Sequence, residues 1–479
     1  MARQAPLCDR LSDQVAPGLR GEALVTFLVR TIAAAAVAAL TVVLAPVAQA
    51  TTIERVITPK GIEAWLVREP SVPLVAMEFA FRGGTAQDPA DRSGLANMTA
   101  SLLDEGAGDL DSRAFQQRLE SKAIEFSVSA YRDALMGSLR TLTENRDEAF
   151  GLLKLALTAP RFDSEAVERI RADILAALRR DAMSPSELAG RKWWETAFPG
   201  HPYSRVNRGT LESVAAIQPA DLKGYVGRVL ARDNLKVGIV GNIDAATAAR
   251  LVDDVFGSLP EKAQLTPVPQ AAPADLGQRV QVDVDVPQST LMLGGVGIAR
   301  KDPDFVPAYV VNHILGGGSF SSRLYREVRE NRGLAYGVSS SLVPLKSASL
   351  FFVSTATRAD RVKDSMDVIE AEIRRMAESG PTAEELDQAK SYLKGSYALS
   401  FDTSIKIANQ LVLIQLDDLG IDYIDRRNGL IEAVTLDDAK RVAKRLLSGK
   451  MLATVAGRPE AATAAAPAAA VPAPAVRAQ

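Results

Sequence analysis

An internal repeat constrains this chain more than any other feature of its sequence. Residues 119–128 and 329–338 align at an offset of 210, and in both copies a helical pattern leads into a strand with period-two alternation. Before these segments, the β-like runs 72–83 and 289–298 are each followed by Asp-Pro, a helical pattern and glycine. A repeated succession of strands and helices predicts the α+β class, with two homologous domains related by internal duplication.

Both copies continue in the same way, which sets the predicted domain limits. Amphipathic helices are predicted in the first copy at 146–158, 163–181 and 183–197, and in the second at 359–378, 382–400 and 403–417. The copies close with strands at 235–240 and 451–455. We therefore predict domains at 51–260 and 276–457, each a mostly antiparallel sheet backed by helices. The Pro- and Ala-rich residues 261–275 are predicted to form an exposed linker.

The two ends of the chain have different compositions from the repeat. Arg20 and Arg30 precede an apolar stretch at 31–47, which ends in Ala48-Gln49-Ala50. This pattern predicts a signal peptide at 1–50 and a periplasmic protein. An uncleaved membrane anchor is the alternative, because 31–50 is just long enough to span a bilayer. Residues 458–479, rich in Ala and Pro, predict a disordered tail.

A shortage of metal-binding and nucleophilic residues excludes several classes of chemistry. The 479 residues contain two histidines, His201 and His313, and one cysteine, Cys8, inside the predicted signal peptide. A Cys/His zinc site, a cysteine nucleophile and a disulfide framework are therefore excluded or strongly disfavoured. The net charge of −2 argues against nucleic-acid binding. Neither histidine has the neighbours of a catalytic triad, and we interpret both as structural.

Three segments are candidate sites, and each also has a purely structural interpretation. Residues 93–103 form a helical pattern in which the apolar stripe is flanked by Asn97, Ala100 and Ser101. A loop, Gly316, Gly317, Gly318 and Ser319, follows a predicted helix at 304–315 and lacks the Lys of a phosphate loop. Arg329 and Tyr336 lie on a helix and the following strand. From their residues alone, a core helix, a helix-ending loop and ordinary surface or packing residues explain all three.

The order of elements resembles the pitrilysin/insulinase family of inverted zinc peptidases, over essentially the whole mature chain. The resemblance is carried by FRGGTAQDPADRSGLANMTASLLDEGAG at 81–108, FPGHPYS at 198–204, and GGGSFSSRLYREVRENRGLAYGVSSSL at 316–342. In active members the helix after Gly-Leu-Ala carries H-x-x-E-H, in which the histidines bind zinc and the Glu activates water. The resemblance places Asn97 and Ser101 at the histidine positions and Ala100 at the Glu position. A further Glu ligand is expected on helix 163–181, where Asp173 is the only carboxylate between Arg169 and Asp181.

The second domain departs from the family pattern far less than the first. In active members it supplies an Arg and a Tyr, seven residues apart, that bind the substrate backbone and stabilise the tetrahedral intermediate. The matching residues are Arg329 and Tyr336, whereas the first copy has Leu119 and Phe126. The loop at 316–319 resembles the glycine-rich, substrate-handling loop of the non-catalytic subunit in two-chain members. The resemblance therefore implies that Arg329, Tyr336 and this loop are functional.

These features lead to one favoured function and two alternatives. We favour a metal-free, non-catalytic subunit of an exported heterodimeric zinc metallopeptidase, inactive alone and active with a homologous partner that carries H-x-x-E-H and the zinc. Its other partners would be peptide substrates, with no nucleic acid, and a membrane only if the signal segment is retained. The first alternative is a catalytically inert scaffold or peptide-binding protein. A stand-alone zinc peptidase is the least favoured and would predict stoichiometric zinc.

Overall fold

The computed structural model describes residues 52–458, which form two β-sheets with helices packed against them. The predicted signal peptide and residues 459–479 of the predicted tail lie outside the described residues. At the tail's first predicted residue, Arg458 forms an ion pair with Asp283 (Nε to Oδ1, 2.9 Å). No helix within the described range has both the length and the apolar character needed to cross a membrane.

The first sheet has six strands in the order β1-β2-β6-β3-β5-β4. The strands are β1 (Ile53–Ile57), β2 (Glu63–Arg68), β3 (Leu74–Arg82), β4 (Glu125–Ala130), β5 (Ala134–Leu142) and β6 (Leu235–Gly241). All neighbours are antiparallel except β2 and β6, which are parallel. The helices of this half are α1 (Leu95–Ala100), α2 (Ser112–Ser121), α3 (Arg146–Thr158), α4 (Ser164–Asp181), α5 (Pro185–Ala197), α6 (Leu211–Ala216), α7 (Pro219–Val229) and α8 (Ala245–Phe256).

The second sheet has five strands in the order β7-β11-β8-β10-β9, so that β9 lies at one edge. The strands are β7 (Arg279–Val282), β8 (Gln288–Val296), β9 (Ala335–Pro344), β10 (Ser349–Arg358) and β11 (Leu452–Ala456), and only β7 and β11 are parallel. The helices of this half are α9 (Phe305–Asn312), α10 (Arg323–Tyr325), α11 (Val362–Ser379), α12 (Ala383–Tyr397), α13 (Ser404–Leu416), α14 (Tyr423–Glu432) and α15 (Leu436–Leu447). The predicted α+β class, with mostly antiparallel sheets backed by helices, is confirmed.

One helix from each half packs against the sheet of the other half. Helix α13 covers β3 and β6 of the first sheet, and helix α5 covers β8 and β11 of the second. Gln415 on α13 donates to the carbonyl of Val237 (3.0 Å), and Trp193 on α5 donates to the carbonyl of Leu452 (3.0 Å). Each sheet is therefore buried on one face by helices of its own half and on the other by an exchanged helix.

A glycine in each sheet makes room for the exchanged helix. A Cβ at Gly294 would lie 2.5 Å from the indole of Trp193, and a Cβ at Gly238 would lie 2.7 Å from the carbonyl oxygen of Ala408. Any larger residue would force the helix away from the sheet. The close approach buries two apolar clusters between the halves, one around Trp193 and Phe352 and one around Trp65 and Leu411.

The segment predicted as an exposed linker is mostly exposed but is fixed to both halves. Thr266 exchanges two hydrogen bonds with the side chain of Gln87 in the first half (2.7 and 3.0 Å). The amide of Ala271 donates to the carbonyl of Ser347 in the second half (2.8 Å). The limits predicted for the domains and linker stay predictions.

Candidate functional site

The segment that resembles the zinc helix is shorter than its sequence pattern predicts. The apolar stripe extends to Leu103, but helix α1 ends at Ala100 and the chain continues in turns. Ser101 closes the helix, because both its amide and its hydroxyl donate to the carbonyl of Asn97 (3.1 Å each). The predicted helical continuation to Leu103 is therefore wrong, although Leu103 is fully buried.

The side chains at the three motif positions do not fit a zinc ion. Asn97 and Ser101 lie one turn apart and offer an amide and a hydroxyl, and Ala100 is buried and offers only a methyl group. Zinc sites in proteins are built from imidazole, thiolate and carboxylate ligands, none of which is present at these positions. Between residues 52 and 458, no three His, Cys, Asp or Glu side chains are grouped closely enough to hold a metal.

Helix α4, expected to supply a further zinc ligand, carries an arginine that pairs with a carboxylate of the first half. Arg169 on α4 binds Glu105 through both guanidinium nitrogens, with Nη1 to Oε1 at 3.0 Å. Burial opposes ionisation of Glu105, but the bonds from Arg169 and Ser112 lower its pKa below the ordinary value. This carboxylate is therefore already committed to an ion pair.

The structure brings Arg329 and Tyr336 together. The guanidinium carbon of Arg329 lies 4.3 Å from the ring centroid of Tyr336 and 4.9 Å from that of Tyr325. The arginine therefore makes cation–π contacts with two rings. Phe320 packs edge-on against Tyr325 at 5.0 Å, which extends the group by one more aromatic ring. Tyr325 precedes Arg329 by four residues, a spacing visible in the sequence that places both on one helical face.

Tyr336 projects into solvent because strand β9 bulges at this point. The register with β10 pairs Val338 with Thr355 and Ala335 with Thr357, so that β9 has one extra residue between these pairs. A bulge of this kind re-aims side chains and is frequent beside functional sites. Tyr336 is 84 % exposed.

Two threonine hydroxyls of β10 stabilise the bulge. Thr355 Oγ1 donates to the carbonyl of Gly337 (2.7 Å), and Thr357 Oγ1 donates to the carbonyl of Leu334 (2.6 Å). These bonds satisfy carbonyl groups beside the point where the regular ladder is interrupted. The orientation of Tyr336 is therefore built into the sheet.

The equivalent place in the first half has a different structure. Phe126 on β4 pairs directly with Leu139 in an uninterrupted ladder, and its ring packs against the apolar core. Leu119 is buried in the same core. The repeated aromatic position therefore serves packing in the first half and is presented to solvent in the second.

The glycine loop begins inside a π-helical turn that packs against strand β9. The turn spans His313–Gly317, and the amide of Gly318 closes it by donating to the carbonyl of His313 (2.8 Å). A Cβ at Gly316 would lie 2.6 Å from the hydroxyl of Ser340, so glycine is needed for close packing. Gly317 and Ser319 are exposed. A second π-helical turn, Arg326–Glu330, contains Arg329, and such turns are frequent at functional sites.

Both histidines make structural contacts. His201 Nδ1 accepts from the amide of Tyr203 (3.0 Å), and its Nε2 lies 3.0 Å from the carbonyl of Pro269. His313 is buried and stacks on Tyr392 with ring centroids 5.0 Å apart. Burial lowers the pKa of His313, so the ring stays neutral near pH 7.

Two family profiles match successive parts of this chain. Residues 65–210 match the profile described as Insulinase (Peptidase family M16), and residues 216–393 match that of the Peptidase M16 inactive domain. Arg329, Tyr336 and the glycine loop lie in the second match, and Asn97, Ala100 and Ser101 lie in the first.

Two relatives and one solved structure illustrate what this chain is similar to. A non-peptidase homolog, YmxG of Helicobacter pylori, is 29 % identical over 69 % of this chain and 77 % of its own length. An uncharacterized zinc protease of Streptomyces coelicolor is 25 % identical over 85 % and 90 %. The crystal structure of a peptidase M16 inactive domain from Pseudomonas fluorescens superposes with a TM-score of 0.80 at 28 % identity, covering 85 % of this chain and 98 % of that one.

Proposed function

Because the chain belongs to the insulinase (M16) peptidase family and is a non-catalytic member of it, we propose that it is the metal-free subunit of a two-chain zinc peptidase. A homologous partner would carry H-x-x-E-H and the zinc ion. This chain would contribute Arg329 and Tyr336 to substrate binding and to stabilisation of the transition state. The glycine loop at Gly316, Gly317, Gly318 and Ser319 would contact the same substrate.

The observation that carries this proposal is the contrast between the two halves at the repeated Arg/Tyr position. Phe126 is part of a core, whereas Tyr336 lies on a bulge that holds it almost fully in solvent. Neither the Tyr336 hydroxyl nor the Arg329 guanidinium has a hydrogen-bond partner within residues 52–458. A core residue would not need this presentation, but a residue that binds a ligand from another chain would.

The pair has the chemistry needed to bind a peptide and to stabilise an oxyanion. A phenol hydroxyl and a guanidinium are hydrogen-bond donors, and a scissile carbonyl that is attacked by water develops negative charge on its oxygen. The ring stacking leaves the Tyr336 hydroxyl free to donate and orients the guanidinium at the same time. Phe320, which is 71 % exposed, adds apolar surface beside the donors.

The compartment and the partner complete the proposal. The predicted signal peptide at 1–50 would export the chain to the periplasm, where its partner would have to be exported as well. The complementary loss of the metal ligands in this chain favours a partner with an intact zinc site over a second copy of this chain. The subunit interface should then be large, because two subunits that enclose a substrate between them must contact each other all around it.

Reconstitution with a co-exported H-x-x-E-H family member tests the proposal. We expect peptide cleavage by the pair to fall at least tenfold in Tyr336→Phe and in Arg329→Ala, since one lost transition-state donor costs roughly 10²–10³ in kcat. Tyr131→Phe is a matched control, because Tyr131 is also an exposed tyrosine but lies in the first half. Unchanged cleavage in both site variants would refute the catalytic-support role.

The alternative, an inert scaffold or peptide-binding protein, predicts a different result. The chain would then form no complex with any H-x-x-E-H member in size-exclusion chromatography, and substitutions at Arg329 and Tyr336 would leave every proteolytic activity of the cell envelope unchanged.

A further inference from the structure

A cavity in the second half lies apart from the Arg329–Tyr336 pair. It has a volume of about 530 Å³ and is lined by helices α9, α12, α13 and α14 and by residues 340–342 of strand β9. Neither Arg329 nor Tyr336 lines it, although Gly317 of the glycine loop does. A volume of this size is typical of sites for small molecules or a few residues of a peptide.

The wall of this cavity contains a buried arginine without a carboxylate partner. Arg427 is 9 % exposed, and its Nη1 donates to the carbonyl of Leu393 (3.1 Å) and to Asn428 Oδ1 (3.2 Å). No Asp or Glu oxygen of residues 52–458 lies within ion-pair distance of it, and its Nε and Nη2 donate to no described atom. A buried charge without a counter-ion is costly, so an anion that entered the cavity would be strongly favoured.

The other charged residues of the cavity wall compensate each other. Arg300 binds Asp417, with Nε to Oδ2 at 3.0 Å, and also donates to the hydroxyl of Tyr423 (3.0 Å). Arg300, Asp417 and Arg427 are the charged residues of the lining, so one positive charge remains in excess. This balance suits a group with a single negative charge, such as a carboxylate.

Two tyrosines orient the arginine and add donors. The guanidinium carbon of Arg427 lies 3.9 Å from the ring centroid of Tyr397 and 5.8 Å from that of Tyr309. Burial raises the pKa of Tyr397 to about 12, so its hydroxyl stays protonated and can donate a hydrogen bond to an anion. Phe305, Leu413 and Ile414 make other parts of the wall apolar.

The neighbouring edge strand indicates what carries the carboxylate. Ser340, Ser341 and Leu342 line the cavity and belong to β9, the last strand of its sheet. At Ser340 the edge is covered, because Asn312 Nδ2 donates to its carbonyl (3.4 Å), but no described strand pairs with the outer side of β9 beyond it. An extended peptide beside this edge would bring its end to the cavity mouth. The end that bears a negative charge is the C-terminus.

We propose that this cavity binds the C-terminal carboxylate of a peptide, with Arg427 as the counter-ion and Tyr397 and Tyr309 as the walls that hold it. The choice of a peptide as ligand rests on the proposed function, but binding is a property of this chain alone. The site would select short peptides and chain ends over internal segments of long chains.

Fluorescence anisotropy with the purified full-length chain, without any partner, tests the inference. The probes are one decapeptide labelled at its N-terminus, made with a free C-terminal carboxylate and with a C-terminal amide. We expect the amide to bind at least tenfold more weakly, because a charge-assisted hydrogen bond is lost. Equal affinities of the two probes, or no binding of either, would overturn the proposal.

Variants locate the site. Arg427→Met should reduce the affinity for the acid probe to that for the amide, and Arg427→Lys should retain part of the difference. Arg361→Met removes an exposed arginine that pairs with Asp364 and should change neither affinity. If Arg427→Met does not fold, as judged by circular dichroism, the proposal is tested instead by Tyr397→Phe and by the acid–amide comparison in the unmodified chain.

Two further outcomes separate this inference from its alternatives. Displacement of the acid probe by decanoate at equal concentration would show a lipid carboxylate site, and the peptide assignment would be wrong. An acid preference that survived Arg427→Met in a folded variant would place the site elsewhere. Failure of the two-chain reconstitution would refute the proposed function and leave this binding result intact.

Discussion

Arg329 contacts Tyr336 through the face of its ring, with 4.3 Å between the guanidinium carbon and the ring centroid. The contact therefore leaves the hydroxyl of the tyrosine free. Arg329 also lies against Tyr325, so the guanidinium is held between neighbours while its N–H groups remain available. Two donors are thus oriented before any ligand is present, which reduces the entropy lost on binding.

The role of the bulge in positioning Tyr336 can be tested while Arg329 and Tyr336 themselves stay unchanged. Thr355→Val removes the hydroxyl that donates to Gly337, and we expect a loss of about 1 kcal/mol in unfolding free energy. Because Tyr336 would then be less firmly placed, cleavage by the reconstituted pair should fall several-fold. Thr355→Ser keeps the hydroxyl and should retain most of the activity. Equal activity of the Val and Ser variants would show that the bulge does not position Tyr336.

Metal removal should not change the stability of this chain. We expect zinc well below one ion per chain by elemental analysis after purification, and an unchanged melting temperature in the presence of a chelator. The physical reason is that Asn97, Ala100 and Ser101 offer no zinc ligand of the usual kinds. A chelator-dependent fall in melting temperature would instead support a stand-alone metalloprotein.

A buried carboxyl group at the contact between the halves predicts a pH-dependent stability. Burial raises the pKa of Glu78 from 4.5 to about 7, although Ser138 on β5 and Asn409 on the exchanged helix α13 donate hydrogen bonds to it. The folded state therefore holds this proton to a higher pH than the unfolded state does. Its stabilising contribution is complete below pH 4.5 and is lost as the pH rises through 7.

Glu78→Gln isolates this effect. The variant should be more stable than the unmodified chain at pH 8, by at most about 3 kcal/mol, and the gain should shrink towards pH 5. Urea unfolding at the two pH values measures the difference. Glu120→Gln, at an exposed position of helix α2, serves as the control. A gain that did not depend on pH would contradict the assignment.

Because helix α5 approaches the second sheet closely, we predict that two glycine-to-alanine substitutions change the stability of the fold in opposite directions. Gly294→Ala would place a Cβ 2.5 Å from Trp193 and should cost about 1–3 kcal/mol. Gly190→Ala lies on α5 itself, meets no atom within 4 Å, and should stabilise by roughly 0.5–1 kcal/mol through helix propensity. Thermal unfolding of both variants shows whether the first is less stable and the second more stable than the unmodified chain.

The sequence predicts the repeat and most element positions because each half obeys simple periodicity. The helix predicted at 146–158 has those limits, and that at 403–417 spans Ser404–Leu416. The helix after Gly94 is shorter than predicted, because the buried apolar stripe continues into turns and periodicity alone cannot distinguish a helix from a turn with the same buried residues.

The remaining features depend on contacts between distant residues. The bulge at Tyr336 requires the register with β10, and the exchange of α5 and α13 requires knowing which sheet each helix covers. Arg427 is an unremarkable helical arginine in the sequence, and only the packing of α14 against α12 shows that it is buried without a carboxylate partner. Tertiary structure, rather than local pattern, creates these properties.

The exchange of α5 and α13 also has an implication for how such a chain arose. A half-length ancestor with one sheet and one protruding helix would have left a sheet face open to water, and a second copy offering the same helix would have covered it symmetrically. Joining two such copies would need only a short connector, because each would already depend on the helix of the other. Within a single chain the two halves need not be identical, and here one has a packed phenylalanine where the other presents a tyrosine.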